Sequence, residues 1–203
     1  AGELALAGRA HREAGGVVRR RSAIALGFAA ALQAPGRASA APDPRIVSVG
    51  SSVTEIIYAL GAEKLLVGVD TTSLYPPQAK SLPQVGYMRA LSAEGVLSLK
   101  PTLIMATTGA GPASTLDQLK ATGIEVVILP DRYDYDSVVK KIEAVGKATG
   151  KVAEADALIA RGRADMKALA DRLAATPNKP RVLFLMSMSG GAPQAAGRDT
   201  AAD

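Results

Sequence analysis

This sequence predicts an α/β fold with a mostly parallel sheet, and three observations carry that prediction. From residue 46 onward, short apolar runs alternate with amphipathic segments. Glycine, proline or small polar residues end most of the runs. A long apolar stripe at helical spacing then separates this region from one further strand-like run. Alternation of strands and helices builds a layered domain with parallel strands, here a Rossmann-like lobe.

The elements follow in order. Strands are expected at Ile46–Val49 and at residues 65–69, 103–106, 126–129 and 182–186; helices are expected at residues 52–60, 92–99, 113–121 and 137–147. Ser52-x-x-Glu55 ahead of Ile56 and Ile57 reads as a capping box, which assigns Glu55 to structure. Gly61 and Gly123 are placed to stop their helices. Between residues 151 and 175, Val152, Ala155, Leu158, Ile159, Met166, Leu169 and Leu173 form one apolar stripe. At 1.5 Å per residue a helix of about 25 residues is roughly 37 Å long. Alanine dilutes the stripe, so it is no sustained coiled-coil heptad.

Charge is unevenly spread. The first forty residues hold six arginines against Glu3 and Glu13, a net of +4 out of the chain's +5. The remainder carries about +1, so the basic balance belongs to this segment and gives no argument for nucleic-acid binding. Arg19-Arg20-Arg21, the apolar run at residues 23–32 and Ala38-Ser39-Ala40 read as a signal peptide with an upstream lead-in over residues 1–40, cleaved before Ala41. The apolar run is too short to span a bilayer.

The residue inventory narrows the chemistry. Cysteine is absent, and the single histidine, His11, lies in the segment expected to be removed. The remaining chain cannot build a disulfide framework, the usual zinc site or a Ser-His-Asp triad. A small α/β hydrolase or nucleotide-binding enzyme is the reading from a different class, but no nucleophile elbow, Walker motif or histidine base supports it.

One loop stands out. Asp70-Thr71-Thr72-Ser73-Leu74-Tyr75-Pro76-Pro77 puts a phenol on a stiff, non-helical stretch just past a strand, with two prolines pinning it. The residues alone leave two readings of Tyr75: a ring packed on the domain edge, or an oxygen held outward as a ferric-iron donor. Other loops at or just past the expected strand ends carry Met88, Arg89, Thr108, Gly109, Arg132 and Tyr133. Ligands of open α/β sheets bind at such carboxyl ends. Arg89 and Arg132 are candidate partners for anionic groups or for a phenolate. Tyr58, inside a helix, reads as packed; Tyr87, Tyr133 and Tyr135 stay open. The Gly109-Ala110-Gly111 loop lacks the lysine of a nucleotide motif and reads as a close-approach loop. Glu94 follows the helix cap Ser92, where a carboxylate favours the helix dipole.

These stretches, together with Arg45-Ile46-Val47-Ser48-Val49-Gly50-Ser51-Ser52 and Leu99-Lys100-Pro101-Thr102-Leu103-Ile104, resemble the periplasmic haem-binding proteins of bacterial ABC haem importers. Cobalamin- and siderophore-binding proteins share the same superfamily. The resemblance runs from about Arg45 to the C-terminus, and Thr-Thr-Ser-Leu-Tyr-Pro is its haem-specific part. It implies a non-enzymatic carrier that binds ferric haem b as transported ligand, with Tyr75 as axial iron ligand and a pocket drawn from Met88, Arg89, Thr108, Gly109, Arg132 and Tyr133. It further implies that Glu94 docks onto an arginine of the membrane permease, which works with an ATPase. The protein would lie in the periplasm and touch the membrane only through the permease. The implied organisation is an N-terminal α/β lobe (41–150), a backbone helix joining two lobes (151–176), and the beginning of a second lobe (177–203). Only one strand and one loop of that second lobe are present, so one wall of the pocket is expected here and the tail after residue 186 is expected to be loosely held. A cobalamin or ferric-siderophore carrier of the same fold is the alternative, in which Tyr75 is incidental.

Overall fold

Strand β1 (Ile46–Val49) has all four side chains buried, a pattern open only to a central strand covered on both faces. In the computed structural model, which describes residues 42–178, 180–187 and 194–197, β1 pairs in parallel with β2 (Leu66–Val69) on one side and β5 (Leu103–Thr107) on the other. Strand β6 (Glu125–Leu129) extends the sheet in the order β2-β1-β5-β6, all parallel. The expected fold class is therefore present. The strand order reverses between β1 and β5, so the crevice beyond their carboxyl ends is a topological switch point.

Alternate side chains sort into two cores. On one face Ile46, Leu103 and Met105 meet helices α1 (Ser51–Ala59), α4 (Tyr135–Thr149) and α5 (Val152–Ala174). On the other, Val47, Val49, Ile104 and Ala106 meet α2 (Ala93–Ser98) and α3 (Ala113–Ala121). The period-2 alternation of the strands thus becomes a three-layer α/β/α sandwich.

Helix ends agree with the sequence in part. Gly61 and Gly123 take positive φ just past α1 and α3. The Gly61 N–H donates to the Tyr58 carbonyl and the Ala62 N–H to the Ile57 carbonyl, the two bonds of a glycine stop. Ser92 caps α2 by accepting from the Gly95 N–H at 3.0 Å. The capping box at Ser52 and Glu55 is not there: Gly50, at φ 108°, precedes α1 and no side chain caps it. The Gly50 N–H is taken by a distant carboxylate, which moves the helix start one residue earlier and leaves Glu55 exposed.

A short hairpin, β3 (Gly86–Tyr87) with β4 (Ala90–Leu91), and two 3-10 turns, Glu63–Leu65 and Pro77–Ser81, complete the lobe. The first half of α5 packs on α4 through Ala155 and Ile159; beyond residue 160 most of it is exposed. Further along α5, the Tyr135 hydroxyl lies where a Cβ on Gly162 would sit. The strand expected at 182–186 is shorter and later, β7 (Leu185–Ser187), paired antiparallel with β8 (Gln194–Ala195); Val182, Leu183 and Phe184 stand exposed outside it. The signal-peptide reading of residues 1–40 lies outside the described residues, as does most of the chain after residue 187. Among the described residues, no helix is long and apolar enough to cross a membrane.

Candidate functional site

Because the four strands run parallel, the loops after β1, β2, β5 and β6 gather on one edge of the sheet. The loop after β2 is built from inside. Asp70, fully buried, accepts at Oδ1 from the Gly50 N–H (2.9 Å) and the Ser73 hydroxyl (2.8 Å). At Oδ2 it accepts from the Thr72 N–H (3.0 Å) and the Thr72 hydroxyl (2.6 Å). No cation pairs with it among the described residues; these four donors compensate its burial.

Direction in the attached hydroxyl chain follows from chemistry. Ser73 spends its proton on Asp70, so Thr54 must donate to Ser73 (2.7 Å), and Ser48 in turn to Thr54. Three buried hydroxyls on β1, α1 and the loop thereby point their dipoles at one carboxylate. Two residues beyond Ser73, Tyr75 stands 65% exposed next to an exposed Leu74. The Tyr75–Pro76 peptide is cis. A ring held so far into solvent contributes little to the core, though it borders α1.

Tyr75 divides two grooves along α1. One, of about 670 Å³, is bordered by Glu55, Tyr58, Glu63, Pro76 and Gln78 among others. The other, of about 320 Å³, is bordered by Ser52, Glu55, Ile56, Val138 and Lys141. Tyr58 packs against the core as expected; burial pushes its phenol above the ordinary tyrosine range and the Glu63 carboxylate adds to this. Lys141 is only 5% exposed, and its Nζ donates to Asp131 Oδ1 at 2.8 Å and to Ser52 Oγ at 3.3 Å.

The remaining candidates spread along the same edge without converging on Tyr75. Arg132 is exposed and pairs with Asp134 (3.4 Å), and Tyr133, 69% exposed, borders a separate groove with Tyr135, Val138 and Met166. Val138 alone touches both this groove and one of those at Tyr75. Met88 and Arg89 form the hairpin tip, where the Gly111 N–H donates to the Met88 carbonyl (2.9 Å). A Cβ on Gly109 would lie 3.3 Å from Met88 Cε, so the glycine loop is a close-approach loop as read from the sequence. Thr108 donates its hydroxyl to the Leu129 carbonyl at 3.0 Å, joining the ends of β5 and β6. Glu94 is exposed in the first turn of α2, on the other side of the sheet from α1. The sequence does not single out Lys141, and Glu55 does not make the capping box read there. Both lie beside Tyr75, while the arginines expected there border neither groove.

The carboxyl edge of this parallel sheet presents an exposed phenol beside open grooves, and comparison with known proteins supplies the family. Residues 46–203 match the family described as "Periplasmic binding protein", and the chain belongs to that family. It is similar to the solved periplasmic heme-binding protein BhuT in complex with two hemes, at 40% identity and a TM-score of 0.75, over 79% of this chain and 63% of that one. An ABC transporter substrate-binding lipoprotein of Bacillus subtilis (strain 168), YvrC, is 38% identical over 63% of this chain and 41% of its own length. A vitamin B12-binding protein of Yersinia pestis (strain Pestoides F) is 33% identical over 70% of this chain and 49% of its own. The chain thus spans less than half the length of these curated relatives. All three are described as binding proteins, YvrC as the substrate-binding protein of an ABC transporter.

Proposed function

We propose that this chain is the N-terminal part of a periplasmic haem-binding protein that delivers haem to an ABC import permease and its ATPase. It acts as a carrier and performs no catalysis. The observation that carries the reading is Tyr75: an exposed phenol on a loop that Asp70 anchors from within, at the ligand-binding edge of the sheet. Ferric iron favours a phenolate oxygen, and the transported ferric haem b would take Tyr75 as axial ligand. Leu74 beside it offers apolar surface to a porphyrin face. Met88, Arg89, Thr108, Gly109, Arg132 and Tyr133 would form the rest of this lobe's rim. Residues 41–150 would be the lobe, 151–176 the helix leading out of it, and 177–203 the start of the facing lobe. Glu94 would meet a permease arginine as a charge-assisted pair, and export to the periplasm would remove residues 1–40.

The test is an absorption titration with hemin. A tyrosinate-type ferric spectrum is expected, and Tyr75→Phe removes its charge-transfer band while Tyr87→Phe and Tyr133→Phe keep it. An unchanged spectrum in Tyr75→Phe overturns the reading. The similarity to a vitamin B12-binding protein supports a second reading, a cobalamin carrier. In that case cobalamin binds, hemin does not, and Tyr75→Phe is without effect on either.

A further inference from the structure

Lys141 shares its groove with Tyr75, and a buried ammonium must place three protons. Asp131 Oδ1 and Ser52 Oγ take two of them, at 2.8 and 3.3 Å; no acceptor takes the third among the described residues. The two charges of the ion pair are held unequally. The Lys141 side chain is 6% exposed, whereas Asp131, on the loop after β6, is 46% exposed and can turn to water. Ser52, accepting from Lys141, keeps a proton of its own to donate. The first turn of α1 holds no acidic residue to oppose an anion there. Glu55 also borders the groove, one turn further along α1 and exposed, so an anion is favoured at the Ser52–Lys141 end.

We propose that Lys141, with Ser52, receives a carboxylate of the ligand whose iron Tyr75 binds, Asp131 yielding its place on the ammonium. This rests on the haem reading above and narrows it: the ligand class is an iron porphyrin with free propionates. Corrinoids whose side chains are amides present no carboxylate to it. The assignment also replaces Arg89 and Arg132 as the cation nearest the phenol's groove.

Hemin and its dimethyl ester, which keeps iron and ring but lacks the carboxylates, separate the two readings. Both should give the Tyr75-dependent band in the unsubstituted protein, with hemin bound about tenfold more tightly, the effect of one charge-assisted hydrogen bond. Lys141→Met should erase that preference and keep the band. Asp131→Asn, which removes the competing carboxylate, should widen the preference. A strut that merely joins α4 to the β6 loop predicts otherwise: both substitutions would weaken both porphyrins alike, and that result overturns the proposal. Equal binding of the two porphyrins by the unsubstituted protein overturns it as well. Lys141→Gln keeps a donor without the charge and serves the same purpose should Lys141→Met fail to fold. Absence of the band with either porphyrin is the failure of the haem reading itself, told apart because the band reports Tyr75 and the preference reports Lys141.

Discussion

Two loops on the same edge of the sheet each present an exposed tyrosine, yet they are held in different ways. After β2, Tyr75 follows a turn fastened by a buried carboxylate with four donors and a chain of hydroxyls reaching into β1 and α1. After β6, Tyr133 follows Arg132, whose guanidinium makes one ion pair at the surface, 82% exposed on its own side. Asp134 caps α4 through the Ser137 N–H (2.7 Å), and the Ser137 hydroxyl donates to the Arg132 carbonyl (2.6 Å). Those bonds fix the helix start and leave the Tyr133 ring in the open. Exposure is alike in the two loops; the anchors differ, a buried carboxylate with four donors after β2 and, after β6, the half-exposed Asp131 on the buried Lys141 ammonium. A ligand atom needs a fixed donor more than a visible one, because a preformed loop spares the ordering entropy that binding would otherwise meet.

The strongest way to break this contrast is Asp70→Ala. It strands the Gly50 N–H and the Ser73 hydroxyl in the interior, at about 1–3 kcal/mol for each buried group left unpaired. Urea unfolding should show a loss of about 2–5 kcal/mol, and a loss under 1 kcal/mol would show that the anchor is dispensable. Thr72→Val, which removes one hydroxyl from Oδ2 and keeps the shape, should cost about 1 kcal/mol and broaden the hemin band. On the opposite loop, Arg132→Ala disrupts an exposed pair worth 0 to about 1 kcal/mol and should leave the band in place. Glu94→Gln should cost the fold a comparable amount, at most about 1 kcal/mol of dipole interaction. With the full-length protein, hemin binding should persist while transporter-stimulated ATP hydrolysis weakens and loses salt sensitivity.

One phenol gives a readout in pH. The folded-state pKa of Tyr58 is raised above its ordinary value of 10.0, so its neutral form is favoured by the fold. The stability this contributes is complete below pH 10 and disappears as pH rises through the folded-state pKa. A late-ionising phenol seen at 295 nm should vanish in Tyr58→Phe, and its persistence would contradict the assignment.

The alternating runs made the sheet legible because a strand buried on both faces has to be apolar throughout, as in Ile46–Val49. Ser92, Gly61 and Gly123 were legible because their roles are local. What escaped was set at long range. Ser-x-x-Glu matched a capping box, but the Gly50 N–H bonds Asp70, twenty residues away, and this fixes the helix start. Lys141 looked like any lysine of an amphipathic helix, since its partners lie 10 and 89 residues off in sequence. The two-residue strands of the hairpin are too short to show a period. Asp70 did leave a trace: a carboxylate followed by three hydroxyl residues is the signature of a side-chain-bonded turn. That signature covers the turn alone; the bonds that tie it to Gly50 and to Thr54 reach across the fold and are visible only in three dimensions.

The Tyr135 ring set against Gly162 makes α5 a lever with a fixed fulcrum. From Gly162 to Ala174 the helix runs about 18 Å at 1.5 Å per residue, so one degree of tilt at the fulcrum moves the tip by about 0.3 Å. Tyr135 opens α4, and the same helix carries Lys141 two turns on. A tilt of α5 about this contact would be enlarged toward Ala174, and any side chain at 162 would meet the Tyr135 hydroxyl at the start of the helix that carries Lys141.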